Sequence, residues 1–418
     1  MRKIFTILFL SAFLIVTRSF STSILVPMDE AQANHLKAYG LAFHALQQDK
    51  TVDWLLNYRG GSFLFDYSDA VKNECTVRGV SFEVVSAERV NGILTEIANP
   101  EVNMNVVKLE RSPRIAVYSP KNDLILDETD AVILVLDYAE IPYQIIYDEE
   151  ILRDDLAKFD WVHLHHEDFT GQVGRFAWRQ SNVIEGKVQE VTAHHLGYSK
   201  VSEMKLAVAK KLKAFCAGGG YLFAMCSGAE TFDIALAAEG IDIVAMSYDG
   251  DEADPAAQDK LDFNKSFAFE NFTLEMGDSR RFSDINVNGR SNFFEQSPDF
   301  FILFNYSAKW DIIPTMLNQN HENAIREFFG QTTAFNKFLV KPSVTVLGEN
   351  RKADNVRYVY GEHGLGHWTF YSGHDPEGVP GRGRDKATNL NLFPHSPGYR
   401  LILNNVLFPS AKKKKQKT

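Results

Sequence analysis

The sequence predicts an α/β protein whose main body is a doubly wound, mainly parallel sheet, preceded by a smaller α/β domain. Three observations carry this. From Arg114 onward, short apolar strand patterns alternate with longer amphipathic helix patterns, which is the signature of a parallel sheet covered on both faces. Residues 218–231 read as a helix end at three glycines, a short buried strand at Tyr221–Met225, a bend at Cys226 and Ser227, and a new helix opening near Ala229. A last strand at Trp368–Ser372 is followed, after a Gly/Arg-rich loop, by a closing helix at Gly398–Leu407 that has Pro397 in the first-turn position helices favour.

Taken in order, residues 1–23 read as a signal peptide: Arg2 and Lys3 precede the apolar run Ile4–Val16, and small residues follow at 19–23. That run is short for a bilayer span. Export is therefore expected, to the periplasm or beyond, with no stable membrane insertion after removal of the segment. Loss of Arg2, Lys3 and Arg18 takes the net charge from −10 to −13, which argues against a nucleic-acid partner. The three cysteines, Cys75, Cys216 and Cys226, are too few for a disulfide framework.

Residues 24–112 form the smaller domain. Strands are expected at Ile24–Met28, Val52–Tyr58, Ser62–Tyr67, Val80–Ser86 and Met104–Leu109. Asp29 is expected to cap a helix whose Leu36, Tyr39, Gly40, Phe43 and Leu46 recur at helical spacing, and Glu88–Ile97 is a second helix. Arg59-Gly60-Gly61 reads as a hairpin turn.

The main domain spans 113–410. Its strands are expected at Ile115–Tyr118, Tyr143–Tyr147, Trp161–Leu164, Tyr221–Met225, Ser343–Leu347, Val356–Tyr360 and Trp368–Ser372, with helices at Thr129–Glu140 and Val201–Ala217. Residues 245–340 break the rhythm and read as an insertion over the sheet's carboxyl edge, within which Gly330-Gln331-Thr332-Thr333 is a polar stretch suited to line a pocket. The acidic run Asp249–Asp254 lacks the spacing and distal Glu of a calcium loop and is expected to be an ordinary acidic loop. Residues 411–418 are a basic tail, Lys412–Lys417.

The candidate chemistry gathers at strand ends. A strand-to-helix bend presents its apical side chain at a strand's carboxyl end, beside the N–H groups of the following helix. Cys226 holds that position and is the candidate nucleophile. His374, just beyond the last strand, is the candidate base, and Glu377 or Asp375 the residue that orients it. The N–H of Ser227, with one from the loop after Trp161–Leu164, would stabilise an oxyanion. His165, His166 and Glu167 in that loop are candidate substrate-lining residues.

The bend around Cys226 and the closing Ser372-Gly373-His374-Asp375-Pro376-Glu377 resemble the class I glutamine amidotransferase-like superfamily, and the Gly-His after the last strand also resembles its ThuA-like branch. The resemblance covers residues 114–408 and implies a flavodoxin-like sheet with a Cys–His–Glu triad. The sequence departs from that pattern at Ala224, where the bend usually starts with Gly, at Pro376, where the carboxylate is expected, and at 165–168, where no Gly-Gly oxyanion loop stands. Chains of this build are often labelled asparagine synthetase B, a glutamine-hydrolysing amidotransferase reading that would apply only without export; the chain has neither an N-terminal cysteine nucleophile nor a Ser-Gly-Gly-x-Asp-Ser loop.

Two other expectations compete. His163, His165, His166, Glu167 and Asp168, with His194 and His195, offer ligands for a metal-dependent hydrolase. The fold can also serve as a non-catalytic module binding a carbohydrate or peptide. The leading expectation is a cofactor-free cysteine hydrolase of an amide or related acyl bond, acting on a small-molecule, peptide or carbohydrate substrate, with no metal required and the oligomeric state left open.

Overall fold

The computed structural model describes residues 22–119, 130–164, 167–172, 180–276, 281–287, 300–326, 328, 330, 332, 334–378 and 387–411. The targeting segment up to Ser21, His165, His166, Gln331, Thr333 and the lysine tail lie outside these residues.

The N-terminal part is an antiparallel sheet of β1 (Ser23–Val26), β2 (Val52–Leu56), β3 (Ser62–Asp66), β4 (Glu83–Val85) and β5 (Asn105–Leu109), in the order β4-β1-β3-β2-β5. β2 and β3 form the expected hairpin, and its turn is sharply left-handed: Asn57, Arg59, Gly60 and Gly61 all have positive φ. Asp29 does not cap the first helix. That helix runs His35–Gln47 and is capped by Asn34, whose side chain accepts the Lys37 N–H; Asp29 instead pairs with Arg59 at 2.6 Å. The helix Asp69–Arg78 was not expected, because only Val71, Cys75 and Arg78 are buried and the apolar stripe is too thin to show in sequence.

The second sheet contains β6 (Ile115–Tyr118), β7 (Gln144–Ile146), β8 (Trp161–Leu164), β9 (Tyr221–Met225), β10 (Phe300–Leu303), β11 (Ala324–Arg326), β12 (Phe335–Asn336), β13 (Thr345–Asn350), β14 (Asn355–His363) and β15 (Gly366–Tyr371). Its order is β11-β10-β13-β14-β15-β9-β8-β6-β7, with β12 beside β14. The block β15-β9-β8-β6-β7 is parallel throughout, whereas β10 to β14 pair antiparallel. The sheet is therefore mixed, not mainly parallel. The hairpin at Gly364, with φ near +62°, turns β14 back onto β15 and so starts the antiparallel extension.

β6, β8 and β9 are buried on both faces, as their near-continuous apolar runs require. Ile115, Val117, Trp161, Tyr221 and Phe223 face helices 131–139 and 397–407, and Ala116, Val162, Leu222 and Ala224 face helices 201–217 and 227–237. The first core is continuous with the N-terminal sheet: helix 35–47 packs on helices 131–139 and 397–407, and Tyr39, Trp54 and Phe63 join the same cluster. The expected boundary near 112 thus separates two sheets but not two cores. Residues 245–340 divide in two. β10 and β11 extend the sheet, while 266–272 and 283–286 lie against helix 227–237.

At the amino edge Asp160 ties β6 to β8 and takes the Arg114 backbone N–H (2.9 Å) and the Arg114 and Arg111 guanidinia. Burial raises the Asp160 pKa, but these bonds outweigh it and hold the carboxyl down to about 2. An acid whose folded pKa is depressed adds stability above its unfolded value of about 4, and that stability is lost as pH falls toward 2. Asp160→Asn is expected to cost about 1 kcal/mol in urea unfolding at pH 7, discounted for the exposed arginines, with the deficit vanishing as pH falls to 2. A deficit independent of pH would count against this account.

Candidate active site

β9 ends at Met225, and the chain turns at once into helix Ser227–Ala237. Between them Cys226 has φ 53° and ψ −133°. A non-glycine residue so placed costs about 1–3 kcal/mol of backbone strain and persists only where its surroundings enforce it. Two bonds enforce it here. The Cys226 N–H donates to Tyr371 O at 3.0 Å, carrying the β9–β15 ladder one residue past the strand, and the Cys226 carbonyl accepts the Ala229 N–H at 3.2 Å. Ser227 sits in the helix's first turn, so its N–H lies at the positive end of that helix.

The register Met225↔Tyr371 places the carboxyl ends of β9 and β15 side by side, a strand spacing of about 4.8 Å apart. Cys226 leaves one strand and Ser372-Gly373-His374 the other, so residues nearly 150 positions apart in sequence converge by topology. A third segment closes over both. The Thr332 N–H donates to Cys226 Sγ at 3.3 Å, and the Thr332 carbonyl accepts the Gly373 N–H at 2.6 Å. Gly330 lies flush on the half-buried His374: a methyl group there would come within 2.8 Å of Nδ1. Cys226 itself is only 1 % exposed.

The two carboxylates after His374 brace its loop. Asp375 accepts from Thr388 Oγ1 (2.9 Å), from the Tyr399 hydroxyl (3.3 Å) and from the Glu377 N–H (3.0 Å). Glu377 accepts from Ser396 Oγ at 2.5 Å and faces Arg326 at 3.9 Å; burial raises its pKa, with Ser396 and Arg326 opposing. Both therefore tie the His374 loop to the start of helix 397–407.

The other cysteines differ in kind. Cys75 and Cys216 lie fully inside cores, and burial pushes each thiol up to about 12. Neither sits at a strand end.

Of the metal candidates, His163 and Glu167 are drawn into the framework. His163 is buried in β8, with Nδ1 at 3.1 Å from Phe223 O and Nε2 at 3.3 Å from Asp130, the residue that caps helix 131–139. Glu167 pairs with Lys205 at 3.0 Å, and Lys205 in turn holds Asp148 (3.0 Å) and the Tyr118 hydroxyl (2.9 Å), all at the carboxyl edge of β6 to β8 and all buried. Asp168 accepts from Thr170, and His194 and His195 are exposed at the end of helix 180–195. Asp242, Asp249 and Asp251 do cluster, but around the Lys200 ammonium at 2.6, 3.1 and 2.6 Å.

Sequence reasoning missed Glu230. It lies one turn beyond Cys226, is fully buried, and accepts hydrogen bonds from Ser283 Oγ and Thr332 Oγ1, each at 2.8 Å. The available signal was a carboxylate inside a helix buried on every side. Thr231, next along, donates to Glu167 O at 2.8 Å and accepts the Phe169 N–H, joining this helix to the loop after β8.

No family model and no curated protein matches this chain. Among solved structures, it is similar to the cytoplasmic protein STM3548 from Salmonella typhimurium, with 8 % identity, a TM-score of 0.38, and coverage of 72 % of this chain and 100 % of that one. The cytoplasmic protein STM1381 from Salmonella typhimurium LT2 gives 9 %, 0.37, 71 % and 99 %. An exo-β-1,4-mannosidase from Opitutaceae bacterium strain TAV5 gives 10 %, 0.30, 72 % and 37 %. Likeness at this level carries no argument about function.

Proposed function

We propose that this chain is an exported cysteine-dependent hydrolase of an amide or related acyl bond, built on a class I glutamine amidotransferase-like fold. The fold reading is supported by the parallel block β7-β6-β8-β9-β15, which in chain order is 2-1-3-4-5, the flavodoxin-like order. The function rests on one observation above the others: the strained backbone at Cys226, on the carboxyl edge where such sheets bind ligands.

In this mechanism His374 takes the Cys226 proton and Sγ attacks the substrate carbonyl carbon. The oxyanion is held at the start of helix 227–237, with the Ser227 N–H among its donors. Collapse expels the amine, which leaves with the proton from His374. Water then attacks the thioester, giving its proton to His374, and the thiol is restored. Asp375 and Glu377 act by holding the His374 loop.

The export reading rests on the targeting pattern of residues 1–23; β1 starts at Ser23 and the Thr22 carbonyl accepts the Tyr67 N–H, so the last two residues of that segment belong to the N-terminal sheet. No helix among the described residues is long and apolar enough to cross a membrane.

The near-complete burial of Cys226 favours a second reading, a carbohydrate- or peptide-binding module that keeps the fold without the reaction. Iodoacetamide labelling separates the two. The hydrolase reading expects Cys226 to be alkylated at least tenfold faster than Cys75 or Cys216 at pH 7.5, and more slowly in His374→Ala. Uniform, slow labelling of all three leaves the binding module.

A further inference from the structure

Helix 227–237 buries two carboxylates, and they have different partners. Asp233 accepts the backbone N–H groups of Phe267 and Ala268, both at 2.6 Å, and of Phe269 at 2.9 Å, an anchor for the inserted segment. Glu230 instead accepts from two hydroxyls, Ser283 and Thr332. Thr332 is the shared node. Its hydroxyl reaches Glu230, its N–H meets the Cys226 sulfur, and its carbonyl takes the N–H of Gly373, next to His374. Nucleophile, base and Glu230 are thus all tied to one buried threonine.

We propose that Glu230 is a positioning residue of this site: through Thr332 it fixes the N–H that meets the Cys226 sulfur, and its charge sets the pH at which that thiol ionises. The inference rests on the reading of Cys226 as the nucleophile. The two influences oppose each other. A hydrogen bond to sulfur favours the thiolate, and a nearby carboxylate disfavours it. The chain of contacts from Sγ through the Thr332 N–H and hydroxyl to the Glu230 carboxylate spans at most about 10 Å, close enough for a carboxylate to move a thiol's ionisation by about one pH unit. Glu230 thereby favours the resting thiol over the thiolate, the form that oxidation attacks first.

The hydroxyl pair makes a clean test possible. Ser and Thr hydroxyls both donate and accept, so a Gln amide fits between them without the charge. The rate of Cys226 alkylation by iodoacetamide, followed by peptide mass spectrometry from pH 5 to 10, is compared in the full mature protein, Glu230→Gln and Thr332→Val. Glu230→Gln is expected to lower the midpoint by about one pH unit. Thr332→Val keeps the shape but loses the tether, and is expected to raise the limiting rate severalfold as the N–H drifts from the sulfur. A wild-type midpoint in Glu230→Gln overturns the inference while leaving the nucleophile reading intact. Should that variant not fold, an unchanged limiting rate in Thr332→Val overturns it. A wild-type protein in which Cys226 is unreactive at every pH removes the nucleophile reading itself.

Discussion

Cys226→Ala is expected to lower kcat/KM on chromogenic acyl reporters such as p-nitrophenyl esters by on the order of 10³-fold or more, and His374→Ala by roughly 10²–10⁴-fold. The first removes the only atom that can form the acyl-enzyme; the second removes the group that takes and returns its proton. Neither change should unfold the protein. Cys226 lies at the sheet's edge, so losing one sulfur costs little beyond a small void, and His374 is half-buried in a loop that Asp375 and Glu377 still hold. Steady-state kinetics alongside urea unfolding checks both points. Turnover that survives Cys226→Ala would end the hydrolase reading. Loss of activity with a matching loss of stability would reduce Cys226 to a packing residue. Replacing Asp375 or Glu377 should act more mildly, because each works on the position of the His374 loop.

The largest effect on stability is expected at Lys205→Met, about 3–5 kcal/mol in urea unfolding at pH 7. Lys205 is fully buried and stands between Asp148 and Glu167, with the Tyr118 hydroxyl accepting a further hydrogen bond from its ammonium. Methionine matches the stem's volume but removes the only cation named in this cluster, leaving two carboxylates inside the protein. Those carboxylates then take up protons more readily than in the unfolded chain. Part of the loss should therefore be recovered as pH falls from 7 toward 5. Adding Asp148→Asn and Glu167→Gln should restore most of the stability, since replacing a whole buried ionic group is far less costly than breaking it. A loss under 1 kcal/mol, or no recovery in the triple variant, would show that water reaches this cluster. The result also bears on function: Glu167, a candidate substrate-lining residue from its place after β8, spends its charge on Lys205.

Several elements were legible because their determinants are local. β6, β8, β9 and helix 201–217 have the limits expected from sequence, since apolar runs of strand length end at glycine, proline or acidic residues and the helix keeps one apolar face. The bend at Cys226 announced itself the same way, as small residues between a buried strand and a helix. Helix 180–195 and the antiparallel strands β10 to β12 were not legible. Short segments such as Ala324–Arg326 carry no periodicity of their own and become strands only because β10 offers an open edge.

By itself, then, the sequence determined an α/β protein with a thiol at a strand-to-helix bend and an imidazole just past the last strand, because those features depend on the period and punctuation of neighbouring residues. Only the tertiary structure decided that the sheet is mixed, that its core runs on into the N-terminal sheet, that His163 and Glu167 serve the framework, and that Thr332, held by Glu230, stands against the sulfur. Each of these is a hydrogen bond, ion pair or packing contact between residues far apart in the chain, and a buried polar group leaves no trace of its partner in the residues next to it.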